Sequence, residues 1–488
     1  MIKEQFVVKK ECRVCGGRLS ELINFGDIHP SNFLAEGAEP LGPFPLVLSA
    51  CEECKVVQLA HNLALDLSYR QYWYKSGLNP SMVAALKEIA DETMARVPLS
   101  PRDTVVDIGC NDGTLLSFFP STMNRVGYEP ALNLAEDARR HCDELISDYF
   151  KASAYDGPMA KVITSIAMFY DLDDPHAFIN GIKEILLPEG IWVIQMMDLR
   201  SMMETGGFDN VCFEHLVYYT LQNMVDLLEG HGLRVCDVAH NAVNGGSLRV
   251  YVSRDTQVQA TPVLARMLEE EAAYLQANPI RTFWEKVAED CSEIGRIVRG
   301  IAYQGPVHIM GASTKGNTLL QMCGLDSTVI EAAAEVNSDK YGLRTVGTNI
   351  PIISEEQSMS ENPAAYLVLP WHFAEFLLNK HKDYLRAGGS FIIPLPTPQV
   401  FKAEPIKSNV ATKTTAFLID ELITTCMKCW YAQEDVMHKE GDSEVAEAAR
   451  SAQLLNSRRN ELIRAIDSRL GEGGISVTSK TYTPGVSK

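Results

Sequence analysis

Hydrophobic and polar positions change period several times along the chain. From Thr104, the stretch TVVDIGCNDGTLLSFF runs a short apolar strand (Thr104 to Ile108) into a turn bounded by Gly109 and Gly113, then into apolar residues at helical spacing. NRVGYEP predicts a second strand with Glu129 at its end, 20 residues after Gly109. Further on, VHIMGASTKGNTLLQMCG repeats the strand, turn and helix, down to the TLL after the last turn. Acidic and apolar positions at helical spacing across residues 256 to 300 predict two helices joining these units, and another helix is predicted from Val83 to Val97. Beyond about Thr412 two amphipathic helical patterns flank the polar turn HKEGD, and the closing GEGGISVTSKTYTPGVSK has the composition of a disordered tail. The fold class expected is α/β. Its parts are an N-terminal module (1–68), a Rossmann-like domain with a substrate segment (69–255), linker helices with a second Rossmann-like domain (256–410), and a helical hairpin extension (411–488).

Cysteine spacing adds chemistry to the module. CRVC (Cys12, Cys15) and CEEC (Cys51, Cys54) are two knuckles about 35 residues apart, each able to turn two thiolates toward one ion. Four soft sulfur ligands select zinc or iron, and a closed tetrahedral set leaves no open position for catalysis, so structural Zn2+ is expected. The glycines and prolines between the pairs limit the core this segment can build alone, a deficit that a metal crosslink offsets. A third pair, Cys426 and Cys429, falls in an amphipathic helical pattern, where core packing is the simpler account.

Charge narrows the partners. With 44 Lys and Arg against 63 Asp and Glu, the net charge of −19 would repel a polyphosphate backbone, so nucleic acid is not expected. The first residues lack the apolar core of a signal peptide, and no stretch reaches the roughly 18 apolar residues of a membrane span. A cytoplasmic protein with reduced thiols and no membrane partner is expected, with a homodimer through the C-terminal helices as one use for the extension.

The turn after the first strand is D-x-G-C-N-D-G rather than G-x-G-x-x-G, so it offers carboxylates where a pyrophosphate would want bare N–H groups. A cationic nucleoside without phosphate suits it, and S-adenosylmethionine is such a molecule. On these residues the domain resembles class I methyltransferases. The resemblance implies that Asp107, Gly109, Asn111 and Gly113 lie under the methionine part and that Glu129 binds the ribose. It also implies that Asp148 and Tyr149 of SDYF contact the adenine, and that Ser165 of VITSIAMFYDLDDP lies beside the transferable methyl.

The order of parts makes the likeness more specific. A four-cysteine module, the tyrosine-bearing connector YRQYWYKSGLNPSM, the cofactor domain, the stretch NVCFEHLVYY, a GGSLR segment and a second Rossmann-like unit together resemble the zinc-containing nucleotide-sugar C-methyltransferases of deoxysugar biosynthesis, over roughly residues 8 to 405. What this implies is α-deprotonation of a nucleotide-linked keto-sugar, then methylation of the resulting enolate. An imidazole titrates near neutrality, which makes His215 the candidate base, with Glu214 holding a substrate hydroxyl or orienting it. Tyr74 and either Tyr218 or Tyr219 would donate to sugar oxygens. The chain departs from the family at Cys212 and Phe213, where relatives carry a tyrosine or a histidine. Asn244, Ser247 and Arg249 of the GGSLR segment approach the substrate in the family, though the segment could equally be a hairpin. Ser313 and Lys315 offer either an anion cradle for a pyrophosphate or a plain helix cap, and Trp371 and His372 sit at a strand end where ligands gather. A methyl acceptor that is a sugar or polysaccharide hydroxyl is the alternative activity, and a zinc-containing scaffold without cofactor is a third reading.

Overall fold

The computed structural model describes residues 6–402 and isolated helical positions between 419 and 466. Residues through Phe401 form one compact unit and the remainder a second.

The first unit begins with strands β1 (Phe6–Val8), β2 (Leu19–Ile28), β3 (Phe33–Leu34), β4 (Phe44–Cys51), β5 (Val57–Leu59) and β6 (His61–Leu63). The β2, β4 and β5 strands pair antiparallel, so the Cys12–Cys15 knuckle before β2 meets the Cys51–Cys54 knuckle at the end of β4. All four sulfurs lie within 4.8 Å of one another. The N–H groups of Val14, Gly17 and Glu53 donate to the Sγ atoms of Cys12, Cys15 and Cys51 at 3.4 Å, the usual way a knuckle turns thiolates inward. Leu46, Leu48, Val56 and Val57 of the module share one buried cluster with Phe213, Leu216 and Val217, so the module's core is completed by the neighbouring domain.

A seven-stranded sheet follows, built from β7 (Thr104–Ile108), β8 (Asn124–Tyr128), β9 (Glu144–Ile146), β10 (Ala160–Ile166), β11 (Leu186–Met196), β13 (Arg234–Asn241) and β14 (Ser247–Ser253). The two-residue β12 (Val217–Tyr218) lies outside it. Its order is β13-β14-β11-β10-β7-β8-β9, with β14 antiparallel to both neighbours. The chain starts at β7 in mid-sheet, winds outward to β9, then crosses back through β10 and β11, which puts a topological switch point between β7 and β10. Helix α1 (Pro80–Arg96) covers one face, and α2 (Pro175–Ile185) connects β10 to β11.

NVCFEHLVYY is not a helix start. A 3-10 turn at Phe208–Asn210 leads into β12, which pairs with β5 and so extends the sheet of the cysteine module. Helix α3 (Leu221–Gly230) begins only at Thr220, whose side chain accepts from Asn223 N–H. Two helices, α4 (Pro262–Ala277) and α5 (Ile280–Ala302), join the sheets. The second sheet contains the parallel strands β15 (Val307–Met310), β16 (Ala332–Glu335), β18 (Ile352–Ser354), β19 (Ala365–Val368) and β20 (Ser390–Ile393), ordered β18-β16-β15-β19-β20. Helix α6 (Thr314–Met322) follows β15.

Three contacts hold the second sheet. Strand β3 of the module pairs with β17 (Arg344–Thr345), and Gln321 of α6 accepts from His29 N–H at 2.8 Å while donating to His29 C=O at 3.0 Å. Trp371 makes the third. Its indole N–H donates to Asp209 at 3.0 Å, and its ring lies where a Cβ on Gly245 would stand 2.7 Å away. Trp371 is therefore a docking residue, correcting the expectation that it lines a substrate site, because both its polar and its apolar surfaces are used between domains.

Among the described positions of the second unit, all helical, Cys429, Ala452, Leu462 and Ile466 are buried and Cys426 is exposed. The expected hairpin turn and tail lie outside the described residues. Among the described residues no helix is long and apolar enough to cross a membrane.

Gly245 has φ +88°, so an alanine there meets both a left-handed backbone and the indole ring. Gly245→Ala is expected to destabilise the protein by about 3 kcal/mol in urea unfolding. A loss under about 0.5 kcal/mol would remove the Trp371 contact as a docking determinant.

Candidate functional site

The turn after β7 gives the site its shape. Gly109, Asn111 and Gly113 have φ of 76°, 54° and 79°, which curls the chain so that Asn111 N–H donates to Glu129 at 2.8 Å. Glu129, one residue past β8, also accepts from Ala131 N–H at 2.8 Å. Asp107 accepts from Thr164 at 2.6 Å and is 2% exposed. Burial pushes the carboxyls of Asp107 and Glu129 up to about 7, because no cation in the protein faces them. Both line a cavity of about 670 Å³ that runs along the carboxyl ends of the strands.

The connector before α1 roofs that cavity. Asn111 Oδ1 accepts from Ser76 N–H and Nδ2 donates to Tyr74 C=O, while Asp112 accepts from Gly77 N–H at 2.7 Å. At the far end Arg70 donates to Asp148 at 3.1 Å and lies over the Tyr149 ring, whose hydroxyl donates to Asp66. Tyr69, Tyr72 and Tyr74 all line the cavity, as do Asn244 and Ser247 from the opposite wall.

Several expected site residues are used elsewhere. Ser165 is fully buried and accepts from the Trp192 indole at 3.1 Å, and the cavity wall there is Ile166, Ala167 and Met168 instead. Gly113 faces Ala138 and His141, where a Cβ would stand 2.9 to 3.2 Å from them, so its role is close packing behind the turn. Arg249 is corrected too: it donates to Gln195, Glu92 and Glu88, which points it to α1 and β11 rather than to a ligand. Ser313 is the helix cap of α6, accepting from Gly316 N–H at 3.0 Å. Tyr219 is fully buried against Phe169, on the side of Arg13 and the cysteine knuckles, because it and Tyr218 point to opposite faces of the chain.

Beyond the cavity mouth, polar groups from three segments converge. His215 Nδ1 donates to Asn210 C=O at 2.7 Å, and the Tyr218 hydroxyl donates to the same oxygen at 3.3 Å. The Tyr170 ring packs 4.3 Å from the imidazole. Lys315 Nζ donates to Asn210 Oδ1 at 3.0 Å. Burial, with the Lys315 charge, pulls His215 and His372 down to about 3, so both are neutral at physiological pH. Asp171, on the cavity wall, and Glu214 beside it each have one buried oxygen without a partner among the described residues; burial pushes both carboxyls up, and the charge of Glu214 raises Asp171 further. Glu214 and His215 themselves do not line the cavity, whose wall includes Asp171, the chain neighbour of Tyr170. Phe213 and Cys212, the points of departure from the family, are both buried. Phe213 packs on Phe44 and His61, and Cys212 lies within the field of both carboxylates.

Sequence reasoning named neither Asp171 nor Gln195 as a site residue, and it left the connector holding Tyr69 and Tyr72 open between a lid over a ligand and a pin to the next domain. Gln195 was the most accessible of these, as a single polar residue in the apolar run IWVIQMM near a strand's carboxyl end.

Residues 82–238 match the model of a methyltransferase domain, and residues 242–396 that of a C-methyltransferase C-terminal domain. C-methyltransferase NovU of Streptomyces niveus is 32% identical over 412 residues, covering 81% of this chain and 97% of that protein. Among solved structures, an S-adenosylmethionine-dependent methyltransferase from Clostridium acetobutylicum superposes with a TM-score of 0.30 and 11% identity, over 36% of this chain and 92% of that one.

The donor set fits S-adenosylmethionine, whose sulfonium and ammonium supply the positive charge that the buried Asp107 and Glu129 lack. Below about pH 7 these carboxyls hold protons in the free protein, and a bound cation favours their ionised form. Affinity for S-adenosylmethionine is therefore expected to rise from pH 5.5 to 7.5, with proton release on binding near pH 6.5. Calorimetry in buffers of different ionisation enthalpy measures it, and binding without proton release would exclude ionisation of either acid.

Proposed function

Given that this chain belongs to the C-methyltransferase family, as an S-adenosylmethionine-dependent enzyme, we propose that its acceptor is a nucleotide-linked keto-sugar methylated at a carbon next to the ketone. The cofactor supplies an electrophilic methyl group. Asp107, Gly109, Asn111 and Glu129 would hold it, with Asp148 and Tyr149 at the adenine end. The protein's task is then to generate a carbon nucleophile.

One observation carries the reading: His215 gives its Nδ1 proton to Asn210 C=O, which leaves Nε2 as an unprotonated acceptor on a neutral ring. In this reading Nε2 takes the proton α to the ketone and leaves the electron pair of that C–H bond on an enolate, the carbon nucleophile to which the bound cofactor would supply methyl, its sulfonium sulfur keeping the S–C electron pair as a neutral thioether. The low basicity of His215 in the free protein owes part of its size to Lys315, so an anionic phosphate beside Lys315 would offset that charge and raise the basicity as substrate binds. Glu214 and Asp171, whose carboxyls burial pushes toward the protonated form, would donate to sugar oxygens, and Tyr74 and Tyr218 would orient the sugar and the base. His372, neutral and with an unpartnered Nδ1, is a further donor for the nucleotide. A structural Zn2+ held by Cys12, Cys15, Cys51 and Cys54 completes the proposal, supported by four sulfurs within 4.8 Å and three N–H groups aimed at them.

His215→Asn keeps the Asn210 hydrogen bond through its amide but offers no basic nitrogen. It is expected to bind S-adenosylmethionine normally while turnover of nucleotide-linked 4-keto sugars, and deuterium entry from heavy water at the α carbon, fall by about 100-fold or more. Normal turnover would remove His215 from the mechanism.

For the metal, elemental analysis of the purified protein is expected to find about one zinc per chain. Cys51→Ser should lose it and melt several degrees lower; a metal-free wild type of unchanged melting temperature would reject a structural ion.

A further inference from the structure

Strand β11 is buried from Trp192 to Met196 and apolar there except at Gln195, which is 3% exposed. A primary amide in such a run is costly unless its polar atoms are used. Its oxygen is: Oε1 accepts from Arg249 Nε at 2.7 Å and from Asn241 Nδ2 at 3.0 Å. Two donors on one atom fix which end of the amide is oxygen and which is nitrogen. Arg249 cannot turn away, because its side chain is 2% exposed and its other nitrogens donate to Glu92 at 2.9 Å and Glu88 at 3.2 Å on α1. Nε2 has no acceptor among the described residues, yet Gln195 lines the cavity. A rigidly oriented, unused N–H group at a cavity wall is built to meet a ligand atom.

Sheet order says which ligand. The cofactor residues lie at the ends of β7, β8 and β9, whereas β11 and β14 lie on the other side of β10. Gln195, with Asn244 and Ser247 near it on the same wall, therefore faces the half of the cavity left for the acceptor. A neutral donor suits an oxygen whose charge grows during reaction, since it strengthens its hydrogen bond without holding a fixed counter-charge beforehand.

We propose that Gln195 is a specificity-determining residue whose Nε2–H donates to the keto oxygen of the acceptor, with Arg249 as the positioning residue that keeps the amide so turned. The proposal rests on the keto-sugar reading for the identity of that oxygen. Both residues act on the acceptor half only.

Gln195→Glu tests it, because a carboxylate still accepts from Arg249 and Asn241 but has no N–H to offer. Calorimetry is expected to find S-adenosylmethionine affinity within about 2-fold of wild type. With a nucleotide-linked 4-keto sugar, kcat/KM and α-deuterium exchange should both fall by about 30-fold, the scale of one hydrogen bond to a charged oxygen. Arg249→Gln, which frees the amide to rotate, should lower the exchange rate while leaving cofactor affinity intact; wild-type exchange there removes Arg249 from the proposal. A 5-fold or greater loss of S-adenosylmethionine affinity in Gln195→Glu puts the amide on the cofactor and overturns the proposal. Unchanged kcat/KM in that variant overturns it as well, while the keto-sugar reading stands. A wild type inert toward every keto sugar offered overturns that reading instead, and the cofactor-affinity measurement still decides which half of the cavity Gln195 serves.

Discussion

The seat of Trp371 over Gly245, with its indole N–H on Asp209, is the contact on which the arrangement of the two sheets depends. Only glycine permits it, since the backbone at Gly245 is left-handed and a Cβ would overlap the ring. Asp209 is one residue from Asn210, and Asn210 takes hydrogen bonds from His215 through its carbonyl and from Lys315 through its side chain. The docked indole, together with the Gln321–His29 pair and the β3–β17 pairing, brings the first turn of α6 to the imidazole. The GGSLR segment acquires a physical meaning it lacks in isolation: its Gly245 receives the Trp371 side chain from the other domain, and its arginine holds Gln195.

The cysteine module is a second brace. Its sheet is extended by β12 on one side, and its β3 strand and His29 are bound by the second Rossmann-like unit on the other. The segment carrying Glu214 and His215 therefore ends in a strand of the module. The metal proposed for the four sulfurs would stiffen the sheet from which that segment hangs.

Charge in the site follows from burial. Asp107, Glu129, Asp171 and Glu214 are carboxyls set deep in the protein with no cation opposite, and each is pushed toward its protonated form. His215 and His372 are pulled the other way, to the neutral form. The free protein is thus arranged to receive charge: positive at Asp107 and Glu129, negative near Lys315.

Sequence by itself determined the strands and turns whose patterns are local. The Thr104 to Ile108 strand, the glycine turn, Glu129 at a strand end and the two CxxC knuckles were legible because hydrophobic period, positive-φ residues and sulfur spacing are properties of neighbouring positions. Asp107 and Glu129 came with them, both on the cavity wall. What only the tertiary structure decided is which polar side chains are left for a ligand once the protein has used the rest. Arg249, Ser165, Trp371 and Tyr219 look available along the chain, but each meets a partner or a packed core that is remote in sequence. Asp171 and Gln195 look incidental, yet folding puts both on the cavity wall and leaves Asp171 a buried oxygen without a partner among the described residues. Hydrogen-bond saturation depends on residues more than fifty positions apart, as between Gln195 and Arg249, and no local period encodes it.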